Sequence, residues 1–483
     1  MLPPRGIPNP SWNLKPAAAS VAHCWWMTHS FSQPELNPGT ARLAVIVPVT
    51  ILSFFYINAL EYSLPLYFEA RSEAALGAGH TFPQDVWAQL VKYKITAWLI
   101  GPLAAGLLSR RYGERFVWGT ALAGKVAIPL TLTMHPEASV IAPLAFWQGL
   151  TGAIMWTAGA SMFQMVAAGK KGFANAWMMV SLALGSLLAP FAARGFIHRS
   201  ELMGFVEESD WHEFWTRFFN LTEMSTAPHL ADFRTLFFFL LGTTLFCGVM
   251  ILLWSQRPGQ FEHGKPAGWQ QTLRDLETLI ENPGYWALVI ALCIVGGPVF
   301  QASNQFLPYR AEQLGLIGTG GADQGWIWLG LLKVFMWLPG GIAVGWLAGR
   351  GASGLAGVVM LGAFSLAALS IGFTQFAWQL FACVAVYEFV RQFMRWSHTG
   401  YLAENVPPPL RSTAIGFAIT CAGVGSTLYA WIAPEIWDPN SAGFDSAGPF
   451  WAAGVLGVLT ALGLFTYHRF RPIRAVSSAQ KSE

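Results

Sequence analysis

The stretch "KITAWLIGPLAAGLLSRRYG", Lys94–Gly113, is an apolar run of helix length that ends in a pair of arginines. A related stretch, "KVFMWLPGGIAVGWLAGRGA", occupies Lys333–Ala352 at a constant offset of 239 residues. Eight of the first eighteen aligned positions are identical, well above what shared composition gives, so we interpret the two as copies of one duplicated unit. The identical pairs are Lys94/Lys333, Trp98/Trp337, Leu99/Leu338, Gly101/Gly340, Ala104/Ala343, Gly106/Gly345, Leu108/Leu347 and Arg111/Arg350.

The composition is that of a membrane protein. Of 483 residues, 54% are hydrophobic and only 11% are charged, whereas a soluble domain carries about 25% charged residues. This is too little charge to solvate a globular surface of such size. The five cysteines show no CxxC spacing, so we expect free thiols, with no metal site and no disulfide framework.

Twelve apolar segments are long enough to cross a bilayer. They occupy 42–64, 87–109, 116–134, 138–168, 172–193, 233–255, 284–308, 325–348, 353–373, 375–401, 411–434 and 447–468. Pro136 and the proline run at 407–409 separate neighbouring segments, because proline removes a hydrogen-bond donor and clashes with the preceding turn. The sequence therefore predicts an all-α integral membrane protein with twelve transmembrane helices.

Basic residues indicate the orientation. With the N-terminus placed in the cytoplasm and the loops assigned alternately, cytoplasmic segments hold 17 of the 29 lysines and arginines, and 16 of the 26 acids lie outside. This is the bias expected of cytoplasmic loops. We predict a multi-pass protein of the inner (plasma) membrane with both termini cytoplasmic, in which each duplicated helix ends at the cytoplasmic face.

The duplication extends over two halves of the chain. The motifs "ALEYSLPLY" (59–67) and "ASNQFLPYR" (302–310) close the first and seventh segments. Two parallel-repeat six-helix bundles suit a transporter with its site between them. The predicted domains are a disordered cytoplasmic segment 1–40, a bundle 41–255, a cytoplasmic linker 256–283 with an interfacial helix, a bundle 284–470 and a cytoplasmic tail 471–483.

The N-terminal segment and one long loop are the subject of further predictions. Residues 1–40 are Pro-rich and lack a long apolar core, so they are not a signal peptide. Nothing before Met27 resembles the rest of the chain, which makes Met27 an alternative start. The loop at 194–232 is predicted to lie outside the membrane.

The loop after the second segment, "GLLSRRYGER" at 106–115, resembles the signature of the major facilitator superfamily. Together with twelve segments in two halves, the resemblance covers about residues 40–470. It implies a gating loop on the cytoplasmic side, made of Gly106, Arg110, Arg111, Gly113 and Arg115, with Arg350 in the second copy. Arg110 stands where the family has an aspartate that pins the loop, and Glu114 where it has a base. Arg110 would then need a partner such as Glu404.

No enzyme motif is present: the sequence has no GxxxxGK[ST], no HExxH and no GxSxG. We therefore predict transport rather than catalysis, with no cofactor, metal or nucleic-acid partner. The informative residues are ionisable groups inside the segments, which tend to pair and to face a cavity. They are Glu61, Lys92, Lys94, Lys125, Lys333, Glu388, Arg391 and Arg395.

Glu388 lies near the middle of the tenth segment, with Arg391 and Arg395 on the same helical face. The family resemblance implies that helices 1, 4, 7 and 10 line the central cavity. Glu388 is then a candidate for binding a proton or a cationic group, and Arg391 for positioning the substrate or neutralising Glu388. The alternative is an internal ion pair that holds the helices in register. Glu61 in the first segment is a second candidate coupling acid, or it lies at the external surface.

Polar side chains on three other segments are candidate substrate contacts. Gln301, Asn304 and Gln305 follow one face of the seventh segment, and amides facing lipid would lack partners. Gln148 lies on the fourth segment and Lys125 on the third. Lys125 either attracts an anionic substrate or forms a structural ion pair. The amides alternatively hydrogen-bond between helices.

The duplicated lysines, Lys94 and Lys333, lie about 25 Å from the cytoplasmic arginines. They either extend to the external interface or close the outer mouth by pairing with external acids.

We predict a monomeric secondary transporter that moves a small solute by alternating access, with proton-coupled uptake of a sugar-like or nucleoside-like solute as the first reading. Proton-driven efflux of hydrophobic or cationic compounds is the alternative, and an aromatic-rich, Met-containing cavity would favour it. A non-transporting receptor or scaffold on the same fold is the alternative from another class. Membrane lipid surrounds the protein in every case.

Overall fold

The apolar segments are helical throughout the part of the chain that the computed structural model describes. The described residues are 38–76, 92–134, 138–166, 171–199, 202–203, 212, 230–253, 269–281, 283–316, 324–349, 354–396, 406, 410–437 and 445–470. They contain no strand. The chain divides into a short unit, Met1–Ala41, and a larger unit, Arg42–Glu483. The predicted tail 471–483, most of the predicted segment 1–40 and most of the loop 194–232 lie outside the described residues.

Six helices of the N-terminal half lie within the described residues. They are α1 (Pro38–Leu76), α2 (Gly101–Tyr112), α3 in two pieces (Glu114–Gly124 and Ala127–Thr133), α4 (Ala138–Val166), α5 (Lys171–Ile197) and α6 (Leu230–Leu253). A helical turn at 92–96 and the 3₁₀ turn Ala97–Leu99 precede α2.

Six further helices are described in the C-terminal half. They are α7 in three pieces (Pro283–Ala291, the π-helical turn Leu292–Gly296 and Gly297–Gln313), α8 (Gln324–Gly349), α9 (Gly354–Gly372), α10 (Ala377–Trp396), α11 (Arg411–Ile436) and α12 (Gly448–Phe470). A separate helix between the halves, Trp269–Ile280, is called the linker helix below.

Nine of the described helices are long and apolar enough to cross a membrane, namely α1, α3 to α8, α11 and α12. The apolar part of α9 is shorter. The 3₁₀ turn interrupts the segment that contains α2, and α10 carries Glu388, Arg391 and Arg395. The all-α membrane architecture is therefore confirmed, while the count of twelve crossings stays a prediction, as do the predicted domain boundaries.

The third and seventh segments are not continuous α-helices, which their sequences did not predict. In α3 the break falls at Lys125 and Val126. The Tyr56 hydroxyl of α1 donates a hydrogen bond to the Lys125 carbonyl oxygen at 3.3 Å. In α7 the break is the π-helical turn, a feature frequent at functional sites. Both breaks lie beside charged or polar residues of the candidate site.

Tyr387 fastens α10, which carries the candidate acid, to its neighbours. Its ring stacks on Phe364 of α9 with centroids 4.7 Å apart. Its buried hydroxyl donates to the Val299 carbonyl oxygen of α7 at 2.9 Å. Such a satisfied buried hydroxyl stabilises one register of α10 against α7. The next residue along α10, Glu388, is thereby placed beside α7 and α8.

The two halves meet along α2 and α11 and along α5 and α8. Gly106 of α2 lies against the backbone of Ser412 and Thr413 in α11, and Gly341 of α8 lies against Met179 of α5. The Leu103 amide, which has no partner within the first turn of α2, donates to the Thr420 hydroxyl of α11 at 3.0 Å. Small residues therefore let the halves approach closely, as in other membrane helix pairs.

We expect Gly425→Ala in α11 to destabilise the protein by about 1–3 kcal/mol, because the new methyl group would overlap the carbonyl oxygen of Cys293 in α7. Backbone cannot move aside as a flexible side chain can. The matched control is Gly330→Ala, at an exposed position of α8 with no atom within 4 Å of the added carbon. Thermal unfolding in detergent measures both, and equal melting temperatures would show that the α7–α11 contact tolerates a methyl group.

Candidate functional site

Glu388 of α10 is fully buried and belongs to a cluster of side chains from α7, α8 and α10. Arg391 donates from Nη1 to both carboxylate oxygens, at 2.8 and 2.9 Å. Trp337 of α8 donates its indole N–H to the second oxygen at 2.8 Å. The predicted pairing of Glu388 with Arg391 is thus present in the structure, and three hydrogen bonds from two donor groups satisfy a carboxylate that would otherwise be costly to bury.

Aromatic rings hold the Arg391 guanidinium from its other side. Its central carbon lies 4.2 Å from the ring centre of Phe300 in α7 and 5.8 Å from that of Trp337. Cation–π contacts of this kind are stronger when desolvated, and Arg391 is 7% exposed. Its Nε is buried with no hydrogen-bond partner among the described residues. The cluster therefore joins α7, α8 and α10 and retains one unused donor.

Two residues of the duplicated stretch lie in or near this cluster. Lys333 and Trp337 lie four residues apart on α8 and so share a face. Lys333 interacts electrostatically with Glu388 and Arg391. Lys333 is therefore within electrostatic reach of the buried acid of its own half. The identity Trp98/Trp337 was visible in the sequence, but the partner of Trp337 was not.

The three predicted amides of α7 have different surroundings. Gln305 donates to the Ala430 carbonyl oxygen of α11 at 3.3 Å, which is a helix–helix contact. Gln301 is buried, and the side-chain oxygens of both glutamines lack partners among the described residues. Asn304 is exposed and lies one turn from Phe300, on the face of α7 that meets Arg391. Asn304 is therefore the amide best placed for a solute.

In the N-terminal half, Glu61 of α1 pairs with Lys94, the other duplicated lysine. Both side chains are about one third exposed. Lys125, at the break in α3, is 1% exposed, and its ammonium lies 5.5 Å from the Tyr56 ring centre. It interacts electrostatically with Lys94 and Glu61. Each half thus groups one acid with two cations.

A cavity opens beside this N-terminal group. The space between its walls, with the open solvent at its mouth included, amounts to about 280 Å³, and the walls are largely aromatic and methionine side chains. The lining residues are Thr50, Ser53, Phe54, Trp118, Met155, Trp156, Gly159, Ala160, Phe163 and Met178. Gln148 of α4 is buried, one turn before Thr151, and it does not line this cavity. Asn58 of α1 donates to the Ser186 hydroxyl of α5 at 2.9 Å, a link that sequence reasoning did not identify.

The predicted gating loop contacts the opposite half through Glu114. Its carboxylate accepts a hydrogen bond from the Ser412 hydroxyl, in the first turn of α11. Gly113 has a positive φ of 86°, which favours glycine. Arg111 lies 5.4 Å from the Tyr112 ring centre. The Arg350 and Glu404 side chains lie outside the described residues, so the Arg110–Glu404 contact stays a prediction.

Residues 87–430 match the family model of the Major Facilitator Superfamily. The match covers the gating loop and the Glu388 cluster. The chain belongs to the Major Facilitator Superfamily. It is accordingly a multi-pass membrane transporter that acts on a small-molecule substrate, and not an enzyme. A search among curated proteins finds no match.

Solved structures of this superfamily share the fold. The human organic anion transporter MFSD10 has a TM-score of 0.64 at 14% identity, over 88% of this chain and 99% of that chain. The Escherichia coli fucose:proton symporter FucP has a TM-score of 0.62 at 13% identity, over 89% and 98%. The proton:xylose symporter XylE has a TM-score of 0.61 at 15% identity, over 89% and 96%. At such identities the likeness is one of fold alone.

Proposed function

We propose that the protein is a monomeric, proton-coupled secondary transporter that takes up a polar organic solute of sugar or nucleoside type. The observation that carries this proposal is the fully buried Glu388, held by Arg391 and Trp337 among α7, α8 and α10. An ionisable group inside a membrane protein is a functional candidate by default because its burial is costly. The proposed setting is the plasma membrane, with both termini cytoplasmic.

The cluster suggests how a proton would be coupled to transport. In this conformation Arg391 occupies both oxygens of Glu388. A proton arriving at the carboxylate would remove its charge and so release the guanidinium. Arg391 would remain over Phe300, with donors free to meet a solute. Protonation and solute binding at α7 would then favour the same state, which is what a symporter requires.

Two observations support a sugar-like solute. One is an exposed amide in the C-terminal half, and the other is the substrate class of two proteins that share the fold. Asn304 presents an exposed amide near Phe300, and amides hydrogen-bond well to hydroxyl groups. Two of the structures with the same fold are a fucose:proton and a proton:xylose symporter. At 13% and 15% identity they lend weight to the substrate class without assigning it.

The N-terminal cavity favours the alternative function, proton-driven efflux of hydrophobic or cationic compounds. Its walls include Trp118, Trp156, Phe54 and two methionines. Adaptable methionine side chains suit surfaces that accept several apolar ligands. A thermal-stability screen separates the two functions, because a ligand of the folded state raises the melting temperature. Shifts with sugars or nucleosides support uptake, whereas shifts with apolar cations alone support efflux.

We expect Glu388→Gln to abolish solute accumulation driven by a proton gradient in proteoliposomes. Exchange of labelled for unlabelled solute without a gradient should persist, because exchange needs no net proton movement. The matched control is Glu435→Gln, an exposed acid near the end of α11, which should behave as the parent protein. Gradient-driven accumulation by Glu388→Gln at the parent rate would show that Glu388 is not the coupling acid.

A further inference from the structure

We propose that the transported solute carries a carboxylate, and that Lys125 binds it in the N-terminal half. This inference rests on the proposed function as a solute transporter and narrows the solute to a hydroxylated organic acid of sugar-acid type.

The first support is a buried cation without an acidic partner. Lys125 is 1% exposed, yet no carboxylate of the described residues lies within 4 Å of its ammonium. Glu61, the acid with which it interacts electrostatically, is instead bound by Lys94. A buried ammonium is costly unless an opposite charge compensates it. A bound anion would supply that charge.

The second support is that the groups beside the ammonium leave its hydrogen bonds unused. Gly152 of α4 faces it: a carbon added there would lie 3.7 Å from the Lys125 Nζ, at ordinary van der Waals distance. On the other side the Tyr56 ring centre lies 5.5 Å away. The Tyr56 hydroxyl is directed to the Lys125 carbonyl oxygen and not to its ammonium. The ammonium therefore donates no hydrogen bond to these neighbours and can donate to a ligand.

The cavity described above begins one helical turn away. Met155 and Trp156 follow Gly152 by three and four residues on α4, and Ser53 precedes Tyr56 by three on α1. One turn of helix spans about 5.4 Å, a distance that the flexible side chain of lysine covers by rotation. A solute could then place its carboxylate at Lys125 and its ring against Trp156, with hydroxyls near Thr50 and Ser53.

The charge balance of the two halves agrees with an acidic solute. Each half groups two basic side chains with one acid, Lys94 and Lys125 with Glu61, and Lys333 and Arg391 with Glu388. A carboxylate that binds beside a buried lysine favours the charged form of that lysine, whereas a bound cation opposes it. These groups therefore suit an anionic solute better than a cationic one.

The test compares three probes that share one ring and differ in charge: D-glucuronate, D-glucose and D-glucosamine. Each is titrated against the purified full-length protein, and the melting temperature is recorded. Glucuronate should raise the melting temperature at concentrations at which glucose and glucosamine do not. A set of other hydroxylated carboxylates, each paired with its amide, extends the comparison.

Variants assign the effect to Lys125. Lys125→Gln should weaken the binding of the effective carboxylate by at least about tenfold, because a charge-assisted hydrogen bond is lost. Lys125→Arg keeps the positive charge and should retain part of the affinity. The control is Arg274→Gln, an exposed cation of the linker helix, which should bind as the parent does.

Three outcomes would overturn the proposal. One is that no carboxylate of the set raises the melting temperature of the parent protein. Another is that a carboxylate and its amide bind equally. The third is that Lys125→Gln binds the carboxylate as tightly as the parent. The proposed transport function does not depend on any of these outcomes, since gradient-driven accumulation and the Glu388→Gln variant test it separately. If Lys125→Gln fails to fold, the comparison of carboxylate with amide on the parent protein still tests the class of solute. Lys125→Arg, which should bind the carboxylate more weakly than the parent does, then tests the assignment to Lys125.

Discussion

Arg391→Gln is expected to abolish transport and to destabilise the protein by about 3–5 kcal/mol, because Glu388 then remains buried without its countercharge. The guanidinium supplies two of the three side-chain hydrogen bonds to that carboxylate. The substitution also removes the guanidinium from its position over the Phe300 ring, so contact between α10 and α7 weakens. Denaturant titration or thermal unfolding in detergent measures the stability, and uptake into proteoliposomes measures the function.

The double variant Glu388→Gln/Arg391→Gln tests whether the lost stability comes from leaving one charge of the pair without its partner. With both charges of the pair removed, neither member is left buried without its partner, and we expect much of the lost stability to return. Transport should not return, because the proposed coupling acid is gone. If Arg391→Gln alone unfolds at the parent's melting temperature, Glu388 is not an ionised partner of Arg391 in the folded protein.

Much of the architecture could be predicted from the sequence because lipid imposes simple rules on helices. Apolar length alone predicts the segment at 411–434, and the structure has Arg411–Ile436. The segment at 325–348 likewise corresponds to Gln324–Gly349. The breaks in α3 and α7 could not be predicted this way. They depend on neighbours, such as the Tyr56 hydroxyl that compensates the Lys125 carbonyl oxygen.

The candidate site could be predicted only as far as the spacing of residues along one helix. Glu388 and Arg391 lie three residues apart, and the structure pairs them. Phe300 and Trp337 come from α7 and α8, and the rotation of one helix against another is set by packing that no single segment encodes. The same reason explains why Glu61 was predicted as a coupling acid without its partner Lys94.

The gating loop shows how the family pattern is adapted in this chain. The position that normally carries the pinning aspartate is Arg110, whereas the position that normally carries a base is Glu114. In the structure it is Glu114 that reaches the other half, by accepting a hydrogen bond from Ser412. Ser412 lies in the first turn of α11, where the helix dipole favours a negative charge. The acid of this loop thus lies four positions further along than in the family pattern, and it meets the start of a helix in the opposite half.

We accordingly expect Glu114→Gln to change a conformational equilibrium by about tenfold or more. The equilibrium is that between the conformation described here, in which the loop after α2 contacts α11, and one in which the halves have separated. A hydrogen bond to a charged group contributes about 1.5–3 kcal/mol. The reporter is Met179→Cys in a chain with its native cysteines replaced. Met179 is 1% exposed and packs on Gly341 where α5 meets α8, so its alkylation requires the halves to separate. Alkylation should be faster with Glu114→Gln, and less so with Ser412→Ala, which leaves the carboxylate at the helix dipole. Glu312→Gln, at an exposed position of α7, is the matched control. An unchanged alkylation rate with Glu114→Gln would show that the halves are held together here by helix packing alone.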